Sequence, residues 1–411
     1  MAKNLVESLK DLLEKDWTKS KLEESIGLPK NSLSSVFNGK KEMPTKWGAK
    51  IEAFLLSVTP GTEVSVNGEG KLKEKPHPKR MDAMNDFVGR INNDFGEGAV
   101  MIMGNQTKEQ RQLDVISTGS IGLDEALGVG GLPRGRMIEI YGLESSGKTT
   151  IAMHVMANAQ KKGLRCLLVD AENSFDAEYA HNLGMNVDEL MLCQPSFGEQ
   201  GFEIADRFIN EGKADVVVFD SVAALLPKAE LEGEMGDSKM GLHARLMSQV
   251  CRKMVGSINK KNALAIFINQ VRNKIGVVYG NPEVTTGGMA LQFYASVRLE
   301  VKRLVQLKDG DAVFGNKTKV IVKKNKVSPP FKMAEFDIIY GVGINRTGEI
   351  LDKAVEKGVV VKSGSWYSYK NADSESKLGQ GRDSVVEFLN DNPDLLVEIQ
   401  TASPASTNLI K

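Results

Sequence analysis

The nine residues from Gly142 to Thr150 read Gly-Leu-Glu-Ser-Ser-Gly-Lys-Thr-Thr, which fits the spacing G-x-x-x-x-G-K-[ST]. Gly142 and Gly147 allow the backbone N–H groups between them to turn inward around phosphate oxygens. A helix starting at Lys148 would point its positive end at the same oxygens. Lys148 would then reach the β- and γ-phosphates of ATP, and the Thr149 hydroxyl would ligate Mg²⁺. Leu143, Glu144, Ser145, Ser146 and Thr150 complete the cradle. So short a pattern can arise by chance, but here the apolar RMIEIYG precedes it and KTTIAMHVMANAQ follows it, supplying the strand and helix the chemistry needs.

Two carboxylates extend the site. Asp220 ends the apolar run VVVFDS, where a charge is costly unless it meets a cation or water. It reads as the acid that holds the Mg²⁺ shell, the alternative being a cap for the next turn. Glu172, in LLVDAENS, lies just past another strand end, where ligands of open α/β sheets bind. It is assigned to orient and activate the attacking water; an exposed loop glutamate is the other reading.

A third segment, NQVRNKIGVVYGNPEVTTGG (269–288), follows directly on the apolar LAIFI. Arg272 and Lys274 suit phosphate neutralisation, and Tyr279 suits stacking on bases or on a neighbouring loop. Gly287 and Gly288 would allow a hinge or a close approach to a backbone. Residue types alone leave two readings open, a nucleic-acid loop or a catalytic lid with incidental charge. Gln270 closes the strand, where its amide could bond a γ-phosphate. A partner gained only with ATP is the differential contact that shifts a conformational equilibrium. A structural glutamine is the alternative.

These residues need a scaffold, and the pattern around them names it. RMIEIYG, CLLVDAE, VVVFDS and ALAIFINQ are short apolar strands alternating with amphipathic segments, which predicts an α/β fold with a mainly parallel, helix-covered sheet. ASVRLEVKRL, KTKVIVKKN and AEFDIIYG follow too closely for crossover helices, so the sheet is expected to end in antiparallel strands. The expected organisation is a helical module over 1–57, a linker over 58–80 and a helix-bearing region over 81–109. An ATPase core over 110–345 and a small α+β domain with tail over 346–411 follow. Met84, Phe87, Val88 and Ile91 carry helical spacing in the third part.

The totals constrain the class. With 411 residues, 41% of them hydrophobic, the chain can bury one large core with smaller attachments. Its 53 basic and 53 acidic residues cancel, which does not announce a nucleic-acid binder yet leaves room for local patches. Cys166, Cys193 and Cys251 are scattered, fitting a reducing compartment and neither a disulfide framework nor a zinc site. MAKNLVESLKDLLEK is amphipathic and charged, unlike a secretory signal, and no apolar run reaches membrane-spanning length. A soluble cytoplasmic protein is expected.

STGSIGLDEALGVGGLPRGRMIEIYGLESSGKTT, DSVAALLPKAELEGEMGDSKMGLHAR, FINQVRNKIGVVYGNPEVTTGGMALQFYASVRLE, KNKVSPPFKMAEFDIIYGVGIN and GSWYSYK together closely resemble the bacterial RecA recombinases, from about 81 to about 400. The resemblance implies a RecA-like P-loop core and a homo-oligomeric helical filament on single-stranded DNA, with ATP between adjacent subunits. It further implies sampling of homologous double-stranded DNA and strand exchange, in DNA repair and the SOS response. It makes the segment after FINQ a DNA loop and ends a second one at Met240 and Gly241, with Arg245 and Arg252 as DNA contacts. Leu242, Leu246, Val250 and Met254 form the buried stripe of the helix carrying those arginines. The resemblance also puts Tyr179 over adenine, with Asp176 and Tyr340 near the nucleotide. It places Lys324 and Lys326 opposite the neighbouring subunit's ATP, and two residues apart on a strand they are expected to point the same way.

Some features depart from the family. Asn273 and Tyr279 replace common choices in the loop, and the chain ends TASPASTNLIK where a long acidic tail is usual. The first eighty residues are extra. KLEESIGLPKNSLSSVFNGKKEMPTKWGAKIEAFL resembles a phage-repressor helix-turn-helix, with Asn31 or Ser32 capping the second helix, Ser34 and Ser35 facing bases or phosphates, and Lys40 and Lys41 on backbone. Duplex DNA through 1–57 and protein docking both stay open. A ring helicase and a non-enzymatic regulator are the rival readings of the whole chain.

Overall fold

A computed structural model gives the fold. It describes residues 113–233, 241–273, 283–370 and 375–403, and before them 18–30, 32–38, 63–66, 72–75, 78–96 and 98–102, with isolated positions at 9, 47, 50, 51, 54 and 55. The chain divides into two compact units, Met1–Arg111 and Gln112–Lys411.

The second unit is built on a ten-stranded sheet. Its strands are β1 (Arg136–Gly142), β2 (Cys166–Asp170), β3 (Met191–Cys193), β4 (Val216–Asp220) and β5 (Leu264–Asn273), followed by β6 (Glu283–Thr285), β7 (Val297–Asp309), β8 (Ala312–Asn325), β9 (Met333–Ile339) and β10 (Gly343–Ile344). The order is β10-β9-β8-β7-β1-β5-β4-β2-β3, with β6 added on β5. The six strands from β7 to β3 in that order are mutually parallel. The remaining pairs, β7 with β8, β8 with β9, β9 with β10 and β5 with β6, are antiparallel. The expected apolar runs all became strands, and VRLEVKRL sits at the switch, parallel to β1 on one side and antiparallel to β8 on the other.

Strand alternation splits the interior in two. Ile138, Ile140, Leu168, Val218 and Ile266 face the helix Lys148–Gln160 on one side. Met137, Leu167, Phe219, Phe267 and Ala265 face the helices Gly198–Asn210 and Leu242–Lys260 on the other. Phe219 sits between Phe202 and Phe267, with ring centroids 5.0 and 4.8 Å apart, and anchors the second layer. Both faces are covered, which is why the central strands read as continuous apolar runs. A three-stranded antiparallel sheet (Val360–Ser363, Trp366–Lys370, Glu375–Gln380) packs with the helices Arg346–Glu356, Arg382–Asp391 and Pro393–Ala402 as a small core of its own.

In the first unit, Thr18 caps the helix Lys19–Ile26, which ends at Gly27 in the left-handed conformation (φ 67°). A second short helix, Ser32–Phe37, follows. Leu22, Ile26, Leu28 and Leu33 bury together with Leu9, Ile51 and Phe54. Asn31 lies outside the described residues. Ser32 Oγ is buried with no hydrogen-bond partner among the described residues, and buried Glu23 accepts the Leu33 N–H at 2.7 Å. Where a plain linker was expected over 58–80, Glu63–Val66 and Leu72–Lys75 pair as antiparallel strands. The helix expected from 81 begins earlier, running Pro78–Phe95, with Met84 and Phe87 exposed.

Candidate nucleotide and nucleic-acid site

Register brings the chemistry to one sheet edge. Gly142 pairs with Gln270 and Asp170 with Asp220, and since Phe219 lies opposite Phe267 the second pair stands two residues short of the first. The phosphate loop departs from Gly142, Glu172 stands two residues beyond Asp170, Asp220 closes its strand, and Gln270 lies within β5, which continues to Asn273.

The loop's glycines are demanded by space. A side chain at Gly142 would meet the Val301 carbonyl oxygen at 2.2 Å, and one at Gly147 (φ 98°) would meet Ile338 Cδ1 at 2.5 Å. Ser145 also takes a left-handed conformation, φ 53°. Lys148 Nζ donates to the Leu143 carbonyl at 2.7 Å, which keeps the ammonium inside the loop. Burial lowers its pKa, opposed by the charges of Asp220, Glu172 and Glu144. Thr149 Oγ1 donates to Asp220 Oδ2 at 2.7 Å. Burial pushes the Asp220 carboxyl up to about 6, with Glu172 and Asp170 adding to the rise and the Thr149 hydroxyl and Lys148 opposing it.

Glu172 and Gln270 meet. Glu172 Oε1 accepts the Ser221 hydroxyl and, at 3.2 Å, an N–H of the Gln270 side-chain amide. Ser221 was not singled out from the sequence; its signal was position, directly after the strand-ending carboxylate. Asp170 accepts the backbone N–H groups of Ser174 and Phe175, each at 3.2 Å, and so shapes the turn that carries Glu172. Asp176 caps the helix Ala177–Asn182 through the N–H groups of Glu178 and Tyr179. The Tyr179 hydroxyl lies 2.9 Å from Thr150 Oγ1, beside the phosphate loop. Tyr340 is half-exposed just past β9, its N–H on the Phe314 carbonyl. Behind the loop, Ser146 Oγ, Asn316 Oδ1 and Thr318 Oγ1 are buried with no hydrogen-bond partner among the described residues.

Lys324, one residue before the end of β8, has its ammonium on the carbonyls of Gln292 and Phe293, at 2.7 and 2.8 Å. Lys326 lies beyond the strand, which stops at Asn325, and is exposed. Its N–H still pairs with the Ser296 carbonyl at 2.9 Å, and its charge adds to burial in lowering the pKa of Lys324.

For the loops, Met240, Lys274 and Tyr279 lie outside the described residues, as do Lys40 and Lys41. Gly241, φ 85°, starts the helix Leu242–Lys260. Its buried stripe is Leu246, Met247, Val250, Cys251, Met254 and Ile258, while Leu242 at its first turn is only partly covered. Arg245 and Arg252 are exposed on other faces. β5 runs on past Gln270, and exposed Arg272 pairs with Val284 at the base of a β5–β6 ladder. Gly287 (φ 82°) and Gly288 (φ 75°) do make a close approach, to the helix Leu242–Lys260. Added side chains there would meet Met247 Cγ and Ala244 Cβ, each at 2.9 Å.

Among the described residues no helix is long and apolar enough to cross a membrane. Residues 82–345 match the RecA N-terminal domain family and residues 348–403 the RecA C-terminal domain family. The chain is 54% identical over 340 residues to the protein RecA of Rhodospirillum rubrum, covering 83% of this chain and 92% of that one. It is 55% identical over 331 residues to the protein RecA of Clostridioides difficile, covering 80% and 93%. A crystal structure of the RadB recombinase overlaps 56% of this chain and 98% of its own at 25% identity and TM-score 0.43. On the two domain matches and the length of these identities, the chain belongs to the RecA family.

Proposed function

We propose that this RecA-family recombinase, which pairs DNA and exchanges strands, is an ATP hydrolase whose turnover depends on single-stranded DNA and on contact between subunits of a helical filament. The observation that carries the reading is the shared oxygen of Glu172, bonded at once by Ser221 and by Gln270 at the mouth of the DNA loop.

The residues around the phosphate loop fit Mg²⁺: Thr149 and Asp220 offer hard oxygens 2.7 Å apart, and burial has left the Asp220 carboxyl reluctant to ionise without a cation. Thr149 and Asp220 would hold the ion, which when bound supplies charge neutralisation for the phosphates. The loop N–H groups and Lys148 would bind and orient the triphosphate, and Tyr179 would border the base. Glu172 would orient and deprotonate the attacking water once Gln270 leaves its carboxylate for the γ-phosphate. The same departure shifts the Gln270 end of the loop, linking nucleotide to DNA grip. Arg245, Arg252 and Arg272 would neutralise DNA phosphates, with base pairing left to read the sequence.

Lys324 supports the cross-subunit role. It pairs in register with Arg298, which pairs with Glu139, three residues before the phosphate loop begins. Three residues along a strand and two strands across separate it from its own loop by about 14 Å, at roughly 3.3 Å per residue and 4.8 Å per strand. That exceeds a lysine side chain's reach, so its stabilising charge is available to another copy's γ-phosphate. Exposed Met84 and Phe87 on the helix Pro78–Phe95 are an apolar face suited to subunit contact.

The test is ATP turnover with and without oligo-dT, paired with electron microscopy of the same samples in a slowly hydrolysed ATP analogue. DNA-stimulated turnover and long filaments are expected. Discrete hexamers with unwinding would indicate a ring helicase, and turnover indifferent to DNA would indicate a regulator.

A further inference from the structure

We propose that Glu139 is a positioning residue that joins both ends of the DNA loop to the cation Lys324; this rests on the roles proposed above for Gln270 and Lys324. Glu139 stands in the middle of β1 with no exposed surface, between Ile138 and Ile140 of the core. An ionic side chain there is costly unless every oxygen is met. Both are. Oε1 accepts an N–H of the Asn269 side-chain amide at 3.0 Å, and Oε2 accepts the Arg298 guanidinium.

Asn269 spends the rest of its amide on the loop. It donates to the Thr286 carbonyl at 3.0 Å and accepts from the Thr286 hydroxyl and the Gln270 N–H, at 3.0 and 2.9 Å. Thr286 in turn reaches the Gln270 carbonyl, at 3.3 Å from its hydroxyl. Gln270 and Thr286 are the two ends of the loop, so one amide, oriented by one carboxylate, clamps both. On the other side Arg298 lies over the Tyr141 ring, 4.6 Å from its centroid, and is the register partner of Lys324. The Glu139 charge offsets repulsion between those two cations, and Arg298 fixes the strand from which Lys324 extends. A single buried group therefore couples the nucleotide-sensing strand end, the loop base and the cation offered to the next subunit.

The experiment uses the full chain and measures one ratio, the rise in affinity for fluorescent oligo-dT caused by a slowly hydrolysed ATP analogue, alongside ADP affinity and melting temperature. Glu139→Gln keeps size and removes the charge; Thr286→Val removes only the hydroxyl of the clamp. Glu139→Gln is expected to cut the ratio by fivefold or more, the lower range of allosteric couplings, with ADP affinity kept within about twofold. A smaller loss of ratio, even with a lowered melting temperature, makes Glu139 merely structural and overturns the proposal. Should Glu139→Gln not fold, Thr286→Val decides on the same threshold. Gln270→Ala separates this idea from its foundation. If Gln270→Ala keeps the ratio, the underlying relay fails; if it loses the ratio while Glu139→Gln keeps it, only the present inference fails.

Discussion

At the scale of single residues, the Asp220 carboxyl sets a pH window. Its folded value of about 6, raised mainly by burial, lies above the ordinary 3.8. The folded chain thus holds this proton more tightly than the unfolded one, and the ionised form costs stability as pH rises from about 4 through 6. The gap corresponds to roughly 3 kcal/mol at neutral pH. Asp220→Asn, whose amide oxygen can still accept from Thr149, should raise the urea midpoint of the nucleotide-free chain at pH 7.5 and abolish the Mg²⁺ dependence of nucleotide binding. An unchanged midpoint at pH 7.5 would refute the burial argument. In the unaltered chain Mg²⁺-dependent binding should weaken below about pH 6, which calorimetry across pH 5 to 8 checks. Glu172→Gln should lower DNA-stimulated turnover by at least 100-fold with nucleotide affinity nearly intact, the usual order for losing a general base. Turnover within tenfold of the original chain would remove the water-activation role.

At the scale of elements, Ser120 caps the helix Ile121–Leu127 through the Leu123 N–H, and the C-terminal domain braces that cap. Glu349 accepts the Ser120 hydroxyl and the N–H groups of Ile121 and Gly122, at 2.7, 3.2 and 3.0 Å. Glu349→Ala leaves these buried donors unmet and should cost about 2–4 kcal/mol in urea unfolding, with Glu349→Gln recovering part of it. A loss below 0.5 kcal/mol would show that water replaces the carboxylate. Much at this scale was legible beforehand. The apolar runs became strands because both faces of the sheet are covered, and the phosphate motif lay between the strand and helix it needs. Glu139 was equally visible as a lone carboxylate in RMIEIYG, yet its partners Asn269 and Arg298 are 130 and 159 residues away, and only strand order joins them. Periodicity did not show that the strand stops one residue short of Lys326, and a glycine such as Gly287 signals close approach without naming its partner, here Met247.

For the whole molecule, dependence of hydrolysis on a second copy gives the sharpest expectation. Lys324→Ala subunits should hydrolyse poorly alone, and mixtures with a Lys148→Ala partner should recover turnover, since each chain supplies what the other lacks at alternate junctions. Failure of every mixing ratio to exceed the sum of the parts would end the cross-subunit assignment. Deleting residues 1–57 should lower duplex affinity and flatten its salt dependence if the Lys19–Ile26 and Ser32–Phe37 pair touches DNA. Unaltered affinity and slope would direct attention to protein docking instead.

The helix Leu242–Lys260 begins at Gly241, where one of the segments proposed to bind DNA ends, and its Ala244 and Met247 lie against Gly288 and Gly287, where the other proposed segment ends. Both segments thus hang from the amino-terminal part of one helix. Swelling that part with a single methyl pair, as in Ala244→Val, should disturb entry and exit of the strand together, although neither loop's own sequence has been touched.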